Sequence, residues 1–152
     1  MYDFHEIEHH PNPQFYRKDF LVLDGEWMFA FDKENVGLKE QWQRRSTLPL
    51  KIKVPFVYQS QKSGIDTSDF GSVVWYKRKV VVPKSYEEKR VILHFLAVDY
   101  ACDVWVNGEH AVHHVGGYTS FESDPCHAGL GGGGSQSAGN LYDPAFPLQC
   151  LE

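Results

Sequence analysis

The sequence has few cysteines, no long apolar run and no excess of basic charge, and each shortage excludes a class of protein. Its three cysteines are far apart and odd in number, which argues against a disulfide framework. No apolar stretch approaches the roughly 20 residues of a membrane-spanning helix, and no apolar leader follows Met1. These absences predict a cytoplasmic protein.

Basic residues are also few. The sequence has 15 Lys and Arg and 20 Asp and Glu, which gives a formal net charge of −5 at pH 7. Nucleic acids and anionic membranes are bound by basic surfaces, so neither is an expected partner. The pairs His9-His10 and His113-His114 lack the ligand spacing of a metal site, and adjacent residues on a strand point to opposite faces. No metal or other cofactor is predicted.

What the chain does contain is the pattern of antiparallel β-structure. With 152 residues it is long enough for one core. Runs rich in β-branched and aromatic residues predict strands, and Asn107-Gly108 is a strong hairpin signal because both residues tolerate positive φ. The predicted strands lie at Leu21–Phe31 (with a turn at Asp24-Gly25), Leu50–Val54 (an edge strand ending at Pro55), Val73–Val82, Arg90–Leu96 and Ala101–Val106. The fold class is therefore all-β.

Composition divides the chain into three segments. Residues 1–19 are polar and contain Pro11 and Pro13, which predicts an extended arm. Residues 20–124 hold every strand signal and form the predicted domain. Residues 125–152 are rich in Gly and Ser, with a linker-like run at Gly131–Ser135. No strand is predicted in this last segment, which we expect to be unstructured.

Five segments of the sequence match the pattern of a known family in order and spacing. They are HPNPQFYRKDFLVLDGEWMFAFD (10–32), LPLKIKVPFVYQS (48–60), VVWYKRKVVVP (73–83), VILHFLAVDYACDVWVNGE (91–109) and GGYTSFESD (116–124). Together they resemble the N-terminal sugar-binding domain of glycoside hydrolase family 2, the β-galactosidase and β-glucuronidase family. The resemblance implies a jelly-roll β-sandwich of the galactose-binding-domain-like type.

The resemblance also implies what this chain lacks. Family 2 enzymes are retaining glycosidases that use two glutamates carried by a TIM barrel, which follows this domain and an immunoglobulin-like domain. Neither further domain is present, and no asparagine here is followed by glutamate. The family pattern also stops at Asp124, before its Arg-x-Ser-Gly-Ile-type motif. We therefore expect an incomplete sandwich with no catalytic residues, inactive alone.

By position in the family, the loop before the VVWY strand frames the terminal sugar. The resemblance thus gives Asp66, Thr67, Ser68 and Asp69 as carbohydrate-binding residues, and a β-galactoside or β-glucuronide as the ligand. The alternative is an ordinary solvated Asx or Ser/Thr turn. Trp75, Trp105 and Tyr118 have the rings to stack on a sugar, but their strand positions favour core packing.

Three functions remain open from the sequence. The first is a non-catalytic sugar-binding and support domain of a family 2 β-glycosidase, with the TIM-barrel and immunoglobulin-like domains of the parent enzyme as partners. The second is a free-standing carbohydrate-binding module. The third is an inactive truncated or engineered fragment.

Overall fold

The chain forms two antiparallel β-sheets packed against each other. The computed structural model describes residues 17–69, 73–86 and 89–124 together with the backbone of 145–151. The strands are β1 (Gly25–Phe31), β2 (Leu50–Val54), β3 (Val73–Lys79), β4 (Leu93–Phe95), β5 (Ala101–Val106), β6 (Glu109–Val115), β7 (Phe121–Ser123) and β8 (Ala145–Leu151). Short 3₁₀ turns lie at Trp42–Arg44, Gln61–Ser63 and Lys84–Tyr86, and no helix in these ranges could span a membrane. The predicted all-β class is confirmed.

The larger sheet has six strands in the order β2-β1-β3-β8-β5-β6, and the smaller sheet pairs β4 with β7. β2 lies at one edge of the large sheet and pairs with β1, which confirms the predicted edge strand. The Asn107-Gly108 hairpin is also confirmed, with φ of 54° and 82° at these two residues. Within the described residues the second sheet has two strands.

One face of the large sheet packs against the small sheet and the loops around it. Its buried residues come from β1, β2, β3 and β5 and from the loop after β2, and they are Trp27, Phe29, Ile52, Val74, Cys102 and Tyr58. Phe121 from β7 packs against this cluster and stacks on Phe95 from β4 at 4.6 Å. This face is the apolar interior of the sandwich.

The opposite face of the large sheet is covered by the connection between β1 and β2. Trp75 and Trp105 stack at 5.3 Å in the centre of this face, and Trp42 from the connection lies 6.0 Å from Trp75. Leu48 closes the same cluster. Trp75 is completely buried and Trp105 nearly so, which confirms the prediction that both are core residues. The central sheet is thus buried on both faces.

The segment after Asp124 departs from the sequence-based prediction. No strand was expected there, but Ala145–Leu151 forms β8, which pairs with β3 along its whole length and with β5 only over its last four residues. Proline normally argues against a central strand. Pro147 lies in the half of β8 that has β3 as its only paired neighbour, so its missing N–H removes no hydrogen bond to β5. Residues 125–144 and the arm at 1–16 lie outside the described residues.

We expect Trp105→Ala to lower the free energy of unfolding by about 3–5 kcal/mol, because truncating a buried aromatic ring leaves a cavity. Tyr118→Ala is the matched control, since that ring is fully exposed and its loss should change stability by less than about 0.5 kcal/mol. Urea unfolding followed by tryptophan fluorescence measures both. Equal effects of the two substitutions would contradict the core assignment.

Candidate functional site

The four sequence-predicted site residues lie on one turn between the 3₁₀ turn at Gln61–Ser63 and β3. Asp66 has a left-handed backbone with φ 51°, and its side chain is exposed. Thr67 Oγ1 accepts a hydrogen bond from the Asp69 amide at 3.1 Å. This is the Ser/Thr turn that the sequence left open as an alternative. The structure therefore brings Asp66, Thr67, Ser68 and Asp69 together on one surface loop.

An ion pair links this loop to the segment that follows β1. Asp69 Oδ2 accepts from Lys33 Nζ, two residues after the end of β1. Both side chains are more than half exposed, so the pair contributes less than about 1 kcal/mol to stability. The pair nevertheless shows where the loop lies, which is next to the end of β1, two residues before Lys33.

Several loops meet at that same end of the large sheet. The register aligns the end of β1 at Phe31 with the start of β3, and the start of β5 at Ala101 with the end of β6 at Val115. We call this end of the large sheet the loop end, and we define it by residues 32–34, 64–69, 96–100 and 116–120. β3 and β5 are separated by β8 alone, so their starts lie about 10 Å apart at the usual strand spacing.

An open depression of about 310 Å³ lies at the β1 side of the loop end. Its lining is Phe31, Asp32, Lys33, Glu34, Val36 and Trp42. This volume is at the lower limit of ligand pockets, and the depression opens widely to solvent. Sequence reasoning missed it, because its shape depends on how the connection after β1 folds back over the sheet.

Asp32 is one of the residues that line this depression, and it is almost completely buried. Its Oδ1 accepts from the Val36 amide at 2.8 Å, and its Oδ2 accepts from the Gly37 amide at 2.7 Å and from Trp75 Nε1 at 3.0 Å. A side chain at position 37 would not fit, because a Cβ there would lie 2.6 Å from Asp32 Oδ2. Asp32 is thus occupied as a structural acceptor and is not free for a ligand.

Tyr118 corrects the sequence-based reading of the aromatic residues. It was expected in the core, but it lies in the turn after β6 and is fully exposed. The GGYTS segment was predicted to be part of a strand, because its aromatic and β-branched residues directly follow β6. The turn arises because Gly116, with φ 135°, ends the strand. Of the three candidate stacking rings, Tyr118 alone is accessible.

Two buried titratable groups lie in the core rather than at the loop end. Burial lowers the pKa of Lys77 below its usual value, and its Nζ donates to the backbone oxygens of Gln43 and Arg45. Burial, with a smaller contribution from the Asp103 charge, raises the pKa of the Cys102 thiol to about 11. Such a thiol is a poor nucleophile near neutral pH, so Cys102 is a core residue as predicted.

The histidines of β6 pair with neighbouring side chains. His113 Nδ1 and His110 Nε2 lie 3.0 Å and 2.8 Å from the same Asp103 oxygen, whereas His114 stacks on Phe121 at 4.2 Å. Within residues 17–69, 73–86 and 89–124, no group of three or more His, Cys, Asp or Glu side chains is arranged to hold a metal ion.

These features define a β-sandwich domain with polar loops and an exposed aromatic ring at one end. Comparison with known families matches residues 20–129 to "Glycosyl hydrolases family 2, sugar binding domain". This chain belongs to glycoside hydrolase family 2, as the sequence resemblance implied.

Individual relatives agree with this assignment. A β-glucuronidase of Rattus norvegicus is 34% identical over 117 residues, which is 70% of this chain and 18% of that protein. A β-galactosidase of Thermoanaerobacter pseudethanolicus is 43% identical over 112 residues, covering 70% of this chain and 14% of the relative. The structure of a Lactobacillus rhamnosus β-glucuronidase superposes with a TM-score of 0.68 at 25% identity, over 86% of this chain and 20% of the other. The chain thus spans a fifth or less of these proteins.

Asp32→Ala should lower the free energy of unfolding by about 3 kcal/mol or more. The substitution leaves the Val36 and Gly37 amides and the Trp75 indole N–H without their acceptor. Asp69→Ala removes an exposed carboxylate and should cost less than about 1 kcal/mol. Urea unfolding of the two variants makes the comparison. A small effect of Asp32→Ala would mean that the connection is held by its apolar contacts alone.

Stability should also depend on pH through Lys77. Its pKa is lowered in the folded state from 10.5. At a pH between the folded-state pKa and the unfolded-state pKa, the unfolded chain binds more protons than the folded chain. The free energy of unfolding therefore rises with pH in this range. Lys77→Met keeps the apolar stem and removes the titration. The stability of the wild type relative to Lys77→Met should therefore rise as the pH approaches 10.5. Urea unfolding at a series of pH values tests this, and a difference that stays constant or falls would contradict it.

Proposed function

We propose that this chain acts as the non-catalytic sugar-binding and support domain of a cytoplasmic family 2 retaining β-glycosidase. In this proposal residues 20–124 form the domain together with β8 from the segment at 125–152, and the arm at 1–19 precedes it. The supporting observation is the loop at Asp66–Asp69, which holds two exposed carboxylates and two hydroxyls on a fixed turn at one end of the sandwich. Carboxylates and hydroxyls are the groups that read sugar hydroxyls by hydrogen bonding.

Catalysis would come from elsewhere in such an enzyme. Retaining hydrolysis needs two carboxyl groups about 5 Å apart on either side of the glycosidic bond. In the family these are glutamates of a TIM barrel, and this chain has no Asn-Glu motif to match. The parent's TIM-barrel and immunoglobulin-like domains are the proposed partners, and a β-galactoside or β-glucuronide is the proposed ligand. Relatives with both names, β-glucuronidase and β-galactosidase, support this choice of ligand.

A domain exchange tests the support role. Residues 20–124 would replace the matching segment of the Thermoanaerobacter pseudethanolicus β-galactosidase, whose own chain supplies the rest of the sandwich and the barrel. We expect the exchanged enzyme to hydrolyse a nitrophenyl β-galactoside, and the chain alone to give no turnover. In the exchanged enzyme, Asp66→Ala should raise KM about threefold or more, which corresponds to the loss of roughly one hydrogen bond.

Lys84→Ala is the matched control, because Lys84 is exposed and follows the far end of β3. It should leave kcat and KM unchanged. An inactive exchange, or an Asp66→Ala variant with unaltered KM, would count against the proposal. Hydrolysis by the purified chain alone would overturn the non-catalytic assignment.

A second candidate, a free-standing carbohydrate-binding module, is supported by the full exposure of Tyr118. Carbohydrate modules that act alone bind sugars on exposed rings, because apolar sugar faces pack on aromatic surfaces. Absence of binding by the chain to a broad panel of glycans would exclude this role while leaving the support role intact.

A further inference from the structure

We propose that Tyr100 and Tyr118 form a sugar-stacking platform at the loop end, and that this platform takes a neutral β-linked pyranoside in preference to a uronate. The inference rests on the proposed sugar-binding role and adds a second contact surface to it. Tyr118 is 100% exposed and Tyr100 60% exposed. An accessible ring face is what a pyranose needs to pack against.

The two tyrosines lie on neighbouring loops. The first loop connects β4 to β5 and carries Tyr100, and the second connects β6 to β7 and carries Tyr118. The Gly116 amide donates to the Tyr100 carbonyl at 2.7 Å, and the next step along the ladder pairs Ala101 with Val115. The loops are therefore joined by their backbones at one end of the sandwich.

The Tyr118 loop is held in place from below. His114 Nε2 lies 3.1 Å from both the Gly116 carbonyl oxygen and the Thr119 hydroxyl, and the His114 ring stacks on Phe121, which stacks on Phe95. Gly117 packs so closely on the Asp99 carboxylate that a Cβ there would collide with it. A ring carried on a supported loop loses little freedom on binding, which favours affinity.

Charge at this end argues for an uncharged ligand. The segments 64–69, 96–100 and 116–120 contain three carboxylates, at Asp66, Asp69 and Asp99, and no Lys or Arg. The nearby cation Lys33 is paired with Asp69. Carboxylates accept hydrogen bonds from sugar hydroxyls, whereas a uronate would add a like charge. The acidic rim thus selects neutral pyranosides over uronates.

Two-dimensional NMR of the labelled chain, titrated with methyl β-D-galactopyranoside and with methyl β-D-glucuronide, tests the platform. We expect the galactoside to shift amide signals of residues 96–100 and 116–120 with a Kd in the millimolar range. The glucuronide should bind at least threefold more weakly at low salt, and this difference should shrink as salt screens the carboxylates.

Substitutions separate the ring from other contributions. Tyr118→Ala should weaken galactoside binding at least tenfold, and Tyr118→Phe, which keeps the ring face, should stay within threefold of the wild type. Tyr86→Ala, in the turn after the far end of β3, is the matched control and should have no effect. Unchanged melting of Tyr118→Ala would establish that the loss is local.

Other results would overturn the platform. Signal changes confined to 64–69 and insensitive to Tyr118→Ala would leave the proposed function standing without it. Equal losses in Tyr118→Ala and Tyr118→Phe would assign binding to the hydroxyl and refute stacking. Tighter binding of the glucuronide would refute the charge argument. No shift with either glycoside would remove both the platform and the free-standing module, whereas the support role is judged separately by the domain exchange.

Discussion

The carboxylate of Asp32 is the contact on which both the second face of the sheet and the loop end depend. It accepts from two amides of the connection after β1 and from the Trp75 indole in the middle of the sheet. One side chain therefore ties a polar, irregular segment to a completely buried ring of the core. A buried carboxylate without such donors would be strongly unfavourable, so these three hydrogen bonds are a condition of the fold. They also fix the backbone on which Lys33 reaches Asp69.

Burial on both faces of the large sheet explains features that a one-sided sheet would not tolerate. Trp75 and Lys77 point to the face beneath the connection, and Val74 and Tyr76 point to the sandwich interior. Lys77 is nearly inaccessible, and its ammonium group is satisfied by backbone carbonyl oxygens instead of a carboxylate. Its hydrogen bonds attach the 3₁₀ turn of the connection to the sheet. Asp32 and Lys77 thus hold the same covering segment at two points, one through its amides and the other through its carbonyls.

The sequence predicted the strands whose signals are local, and it failed where pairing is decided at long range. Leu50–Val54 and the Asn107-Gly108 hairpin follow from alternation and turn chemistry and are confirmed. β8 could not be foreseen, because two prolines and a Gly/Ser-rich approach hide its alternation and because its place between β3 and β5 is a property of the whole sheet. Asp66 and Asp69 were identified by family resemblance, and their sugar contacts remain a prediction. Tyr118 was misjudged because exposure depends on where β6 ends, which Gly116 decides.

The position of the loop end connects these physical constraints to function. β1 and β6 end there and β3 and β5 begin there, and the start of β2 and the end of β8 lie at the same end of the large sheet, so several connections converge on it. Beneath the connection, the carboxylate of Asp32 is engaged by two amides and the Trp75 indole, and the ammonium group of Lys77 is engaged by backbone oxygens. Hydrogen-bonding groups and an accessible ring coincide at the loop end instead. The sheet thus holds the loops of two different connections, before β3 and before β5, at a spacing of about 10 Å, and the proposed recognition role depends on that spacing.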